Sequence, residues 1–179
     1  MPNIIATDPE RLANLRSCLA ADPSGVLEAA AVEAGESLRT IVACLPASLH
    51  TFASGECAEE IMSDIAEWGE ITCLVHTADI ILECKGHLPH GSFARGFYNL
   101  ASNSGPIGGH LRLDRCASVA FVRRPFMGAS DSCAVIFFNN DGEAMFKVFV
   151  GRDEQHHLRA DQVARFTSLR GRLGRAAEE

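Results

Sequence analysis

No apolar run in this chain approaches the roughly 18 residues that a membrane span needs, and no charged-then-apolar leader opens it. The expectation is a soluble cytoplasmic protein with no membrane insertion. There is no C-x-x-C, although seven cysteines are present among 179 residues. Their number is odd and their spacing wide, which argues against a disulfide framework and against a zinc site. Most fall at apolar positions of predicted elements, where a free thiol packs as a small hydrophobe, as in a reducing compartment. Also missing are a nucleophile elbow, an H-E-x-x-H, a Walker loop and a dinucleotide fingerprint. Positive charge is in short supply: 16 Lys and Arg stand against 23 Asp and Glu, a formal charge of −7. Such a surface repels phosphate backbones, so nucleic acid is a disfavoured partner. The local exception is the arginine-rich tail, with Arg159, Arg165, Arg170, Arg172 and Arg175.

What is present suits one globular domain over residues 1–179. Residues 1–69 read as helical. Asp8-Pro9-Glu10 is a cap with a first-turn proline, and Leu12, Leu15 and Leu19 follow at helical spacing. "VLEAAAVEAG" ends at Gly35. "SLRTIVACLP" opens on Ser37 and stops before Pro46. "CAEEIMSDIAEWG" places Cys57, Ile61, Ile65 and Trp68 on one stripe. From residue 70 the pattern turns to β, with strands expected near 71–76, 79–86, 95–101, 108–114, 117–124, 132–139 and 143–150. "NNDGE" is the clearest hairpin turn. A last helix is expected over 156–174, with Leu158, Val163, Phe166, Leu169 and Leu173 as its stripe. The fold class is therefore α+β: a helical N-terminal portion, a large antiparallel meander, and a C-terminal helix packed on the sheet. The strands "AVIFFN" and "AMFKVFV" are apolar on both sides. One face can be covered by the chain's own helices, and the other then needs a second subunit or a ligand.

Few side chains point to chemistry. The N-terminal helices have helix-turn-helix rhythm, but the would-be reading helix offers Arg39 alone, so a packing or lid role is the better reading. "GPIGG" precedes a strand and reads as a turn. His156 and His157, adjacent on the expected helix, point apart and read as surface residues. His76 closes a strand in line with Leu74 and Thr72, and either ties down the hairpin turn or holds a ligand. His110 shares a strand face with Arg112, opposite Leu111 and Leu113. Tyr98 is the chain's one tyrosine. Imidazole and phenolate both ligate haem iron, and Arg95, Arg112, Arg123 and Arg124 could pair with carboxylates.

"EWGEITCLVHTADIILECKGHLP" (67–89), "RGFYNL" (95–100), "GGHLRLDRCASVAFVRRPFMG" (108–128), "AVIFFNNDGEAMFKVFVGRDE" (134–154) and "LRADQVARFTSL" (158–169) closely resemble the ChuX/HutX family of intracellular haem-utilisation carriers. The resemblance runs from about Pro23 to Leu169. It implies a fold similar to one half of the two-repeat ChuS/HemS proteins. It also implies a homodimer that binds haem b as cargo and passes it to a haem-accepting or haem-degrading partner. On this resemblance His76 and His110 are the haem-related histidines and candidate iron ligands, and Phe97-Tyr98 matches a tyrosine-rich position. Some members have those two aromatics reversed, which on a strand moves the hydroxyl to the other face. Arg123 and Arg124 would meet the propionates, with Phe126 and Met127 as wall residues. The alternatives are a haem-degrading enzyme fed by an external reductant, and a haem-responsive DNA-binding regulator using the N-terminal helices.

Overall fold

The structure, a computed structural model, describes residues 8–101, 105–128 and 130–174. Arg175, in the arginine-rich tail, lies outside them. Helix α1 (Pro9–Ala21) starts where Asp8 accepts the Glu10 amide at 3.1 Å. Helix α2 (Leu27–Ala34) ends on Gly35, whose φ of 61° is the left-handed cap that glycine adopts without strain. Helix α3 (Leu38–Ala43) is capped by Ser37, which accepts the Thr40 amide. Strand β1 (His50–Ser54) follows, then α4 (Ala58–Ile65). The β portion comprises β2 (Glu70–His76), β3 (Ile81–His87), β4 (Gly91–Ala94), β5 (Phe97–Leu100), β6 (Gly109–Leu111), β7 (Ser118–Phe126), β8 (Ser130–Phe138) and β9 (Ala144–Phe149). Helix α5 (Ala160–Leu173) closes the fold.

Helical ends and an antiparallel sheet stand as expected, but the strands form two sheets. Six pair in the order β1-β7-β8-β9-β2-β3, and β4-β5-β6 form a smaller sheet. Two strands are unexpected: β4, which falls between the strands expected at 79–86 and 95–101, and β1, inside the portion read as helical, which pairs antiparallel with β7, Phe52 opposite Ala120. The β8–β9 turn forms as its sequence demands. The Asn139 side chain accepts the Asp141 and Glu143 amides, both at 3.0 Å, and Gly142 turns the chain at φ 78°.

The six-stranded sheet is coated on both sides. Leu27, Leu38, Ile41 and Val42 of α2 and α3 pack with Phe52, Val122, Ile136 and Phe138 on one face. Ile61 and Ile65 of α4, Phe166 and Leu169 of α5, and Tyr98 of the small sheet pack with Phe121, Val135, Phe137 and Val148 on the other. Each such buried side chain contributes about 1.5–3 kcal/mol relative to exposure. The two apolar faces of β7 and β8 are therefore covered within one chain. For β8, one of the two strands for which a second subunit or a ligand was expected, the second face needs neither, because the short N-terminal helices supply the second layer. Coverage thins toward β3, the sheet's edge, where Ile81 and Leu82 are exposed.

Candidate functional site

Strand alternation fixes which groups share a surface. On β2, Thr72, Leu74 and His76 point one way, opposite Lys85, Glu83 and Ile81 of β3. Leu74 also faces Lys147 of β9, and Thr72 faces Phe149. A groove of about 430 Å³ runs along this surface, walled by Leu74, Phe126, Phe149 and Leu158, with Lys85, Arg152 and His156 among its polar groups. At the α2 end of the same strand face lies a wider cavity of about 780 Å³, lined by Val26, Ala29, Val32 and Leu38 with His76 and Ala78. Glu28, Glu33, Glu36 and Glu143 make its rim acidic. Both volumes fall within the roughly 300–1,000 Å³ usual for small-molecule sites.

The His76 ring is oriented by a carboxylate. Its Nδ1 lies 3.1 Å from Glu28 Oε1, and the Lys147 ammonium donates to that same oxygen. Burial alone would push the Glu28 carboxyl up, but the Lys147 charge and hydrogen bond, and then His76, hold it below its ordinary value. Burial depresses the Lys147 ammonium against the pull of Glu28. Among the described residues, His76 Nε2 makes no hydrogen bond. A histidine engaged at Nδ1 by a carboxylate and open at Nε2 has the second-sphere arrangement usual for metal-ligating imidazole.

His110 stands elsewhere, on β6 of the small sheet. Its Nδ1 is 2.6 Å from Asn99 Oδ1, and its ring meets Phe97 edge-on at 6.1 Å. The Arg112 guanidinium lies 5.6 Å from the Phe97 centroid and pairs with Asp114 at 2.7 Å. This face is open: Phe97 is 38% exposed. His76 and His110 therefore sit on different sheets with separate partners, and the structure does not bring them together.

Tyr98 is a correction to the predicted site. It is 1% exposed, its ring meets Phe93 at 5.2 Å, and its hydroxyl accepts the Gly91 amide at 3.2 Å. A Cβ on Gly91 would overlap the ring. The phenol is a core group because the Phe-Tyr order turns Phe97 outward and Tyr98 inward. Arg124 is a second correction. It is 9% exposed and committed to the Pro23 carbonyl at 2.6 Å, so it is not at a mouth. Burial pulls its guanidinium below the ordinary value against the charges of Glu28 and Asp22. Arg123 is nearer solvent, paired with Asp131 at 2.8 Å. Phe126 walls the groove, whereas Met127, 75% exposed and at φ 46°, sits on the β7–β8 turn. His156 and His157 are not helical; they occupy the turn before α5, where His156 has φ 64°.

Sequence reading missed Glu28, Lys147, Lys85, Arg152 and Phe149. The signal for Lys147 was there, a lone cation inside "AMFKVFV", since a buried lysine demands an anion. Nothing local marks Glu28 as that anion. Arg39, the would-be base reader, donates to Ser118 Oγ at 3.1 Å and lies over the Phe52 ring at 5.0 Å. Helix α3 buries Leu38, Ile41 and Val42 on the sheet.

The chain is 40% identical over 129 residues to the intracellular heme transport protein HutX of Vibrio cholerae serotype O1, covering 72% of this chain and 66% of that protein, just under two thirds of its length. It superposes on the heme-binding protein ChuX with a TM-score of 0.81 and 37% identity, over 88% of this chain and 97% of the other. A likeness in fold alone extends to the heme-degrading enzyme ChuS of Escherichia coli O157:H7, with a TM-score of 0.71 and 15% identity, over 91% of this chain and 49% of that one. No helix of the described residues is long and apolar enough to cross a membrane. Residues 51–169 match the sequence profile of the family described as Haem utilisation ChuX/HutX, and the chain belongs to that family.

Proposed function

We propose that this protein binds haem b inside the cell and carries it to an acceptor, without degrading it. The observation that carries the reading is the His76 imidazole. It is held at Nδ1 by Glu28 and open at Nε2, and it shares a strand face with Leu74, which walls a groove holding Lys85 and Arg152. The porphyrin lies on that apolar face, with iron toward His76 and propionates toward the two cations. His110 is the rival ligand. Its surface is open, so haem held there would need a second subunit to cover it. Relatives named for heme transport and heme binding support carriage, whereas the heme-degrading enzyme shares only the fold. Degradation would also need a reductant from a partner. The burial of α3 weighs against the DNA-binding alternative. A homodimer formed through the sheet region fits the exposed Ile80, Ile81, Leu82 and Phe93.

Optical titration of ferric haem into single variants tests the ligand. His76→Ala weakens binding at least about tenfold or shifts the Soret band, a loss on the scale of a metal's supporting shell. His110→Ala has the lesser effect, and Tyr98→Phe leaves the spectrum unchanged. A normal spectrum in His76→Ala that is lost in His110→Ala or His156→Ala moves the iron to that imidazole and overturns the assignment.

A further inference from the structure

Cys73 on β2 and Cys84 on β3 stand directly opposite each other in the antiparallel register. Both thiols are free and half-buried. The Thr77 amide donates to the Ile80 carbonyl at 2.9 Å, which closes the hairpin. Bonded pairs alternate along an antiparallel ladder, so counting from Thr77–Ile80 makes Cys73–Cys84 a bonded pair as well. Such pairs hold their Cα atoms about 5.5 Å apart, inside the range that disulfides span. Among the described residues, no other two cysteines face each other across a ladder; Cys133, for example, faces Arg123. Burial, and then the neighbouring Cys84, pushes the Cys73 thiol up to about 11.

We propose that Cys73 and Cys84 form a two-thiol redox clasp that hydrogen peroxide closes into an intrachain disulfide. One of the two thiols attacks peroxide as its thiolate; an S–O bond forms, the O–O bond breaks, and the departing hydroxide takes up the thiol's proton as water. That cysteine is then a sulfenic acid. The facing sulfur attacks it; an S–S bond forms, the S–O bond breaks, and hydroxide leaves with the second thiol's proton as a second water. Two thiols and one peroxide give one disulfide and two waters, a transfer of two electrons. Thr72, Leu74, Glu83 and Lys85 alternate with the cysteines and line the groove on the opposite face. The clasp therefore ties together the two strands that wall one side of the groove. It does not depend on what the groove binds.

The test uses the full chain in a Cys18→Ser background, which removes the exposed thiol. After reduction it receives a small excess of hydrogen peroxide. The expected result is the loss of two thiols, a peptide map joining residues 73 and 84, and full recovery with dithiothreitol. Neither Cys73→Ser nor Cys84→Ser forms the cross-link, and the thiol left in each variant stops at a sulfenic acid that dimedone traps. Hydrogen exchange of the amides in 72–76 and 81–85 slows on oxidation only when both cysteines are present. A cross-link between two chains, or no joined peptide, overturns the proposal.

Discussion

At the scale of single residues, a few buried polar groups tie separate elements of the fold together. Gln162 of α5 is the clearest case. Its amide nitrogen donates to the carbonyls of Trp68 and Glu70, both at 2.8 Å, and its oxygen accepts the Gly151 amide at 2.7 Å. One side chain thus pins the last helix to the start of β2 and the end of β9. Gln162→Leu strands those backbone groups, and urea unfolding is expected to show a loss of about 2–4 kcal/mol. Glu28 gives a pH dependence. Its folded pKa lies below the ordinary 4.5, so its contribution is fully present above about 4.5 and is lost as pH falls through the lower folded value. Glu28→Gln removes that part of the acid sensitivity and leaves Lys147 buried without its anion. Thermal melts between pH 3 and 7 check this; an unchanged acid limb in the variant contradicts it. The inward turn of Tyr98 was readable from strand alternation and the Phe-Tyr order. Gln162 was not, because one glutamine in an amphipathic helix looks like any solvent-facing position until its three partners, distant in sequence, are in place.

At the scale of elements, periodicity located the helices and seven of the nine strands, missing β1 and β4, and its failures have physical causes. Strand β1, "HTFAS", was hidden because five residues carry too little alternation, and its pairing with β7 is long-range. Helix α5 begins at Ala160 rather than near 156 because Asp153 accepts the amides of Gln155 and His157, at 3.0 and 2.9 Å, and holds a turn there. The β2–β3 hairpin was legible from its two apolar runs and short break. The division into two sheets was not, because a strand's sequence does not name its neighbour. The connection from β1 to α4 tests the packing of elements. A Cβ on Gly55 would overlap the Cys116 carbonyl and the Ala117 backbone. Gly55→Ala must move backbone rather than a side-chain tip, and should cost about 1–3 kcal/mol, as overpacking does. A variant with the native urea midpoint would show that this connection yields freely.

At the scale of the whole molecule, one antiparallel sheet is wrapped on both faces by short helices and left open toward β3. The groove and the exposed apolar edge lie on that open side, and His76 lines the neighbouring cavity. The same edge bears on assembly. In sedimentation, the full chain is expected to run as a dimer, Ile81→Glu with Leu82→Glu as a monomer, and a chain beginning at Pro23 still as a dimer. If the shortened chain alone is monomeric, α1 makes the interface instead. The haem reading could be made from the sequence by resemblance, but the groove could not, since its walls come from β2, β3, β7, β8, β9 and the turn before α5. The most direct test of the account is titration of the purified full-length protein with ferric haem, followed at the Soret band. The account predicts a saturable shift that ends near one haem per chain. A spectrum that remains that of free, aggregated haem at every ratio would contradict it.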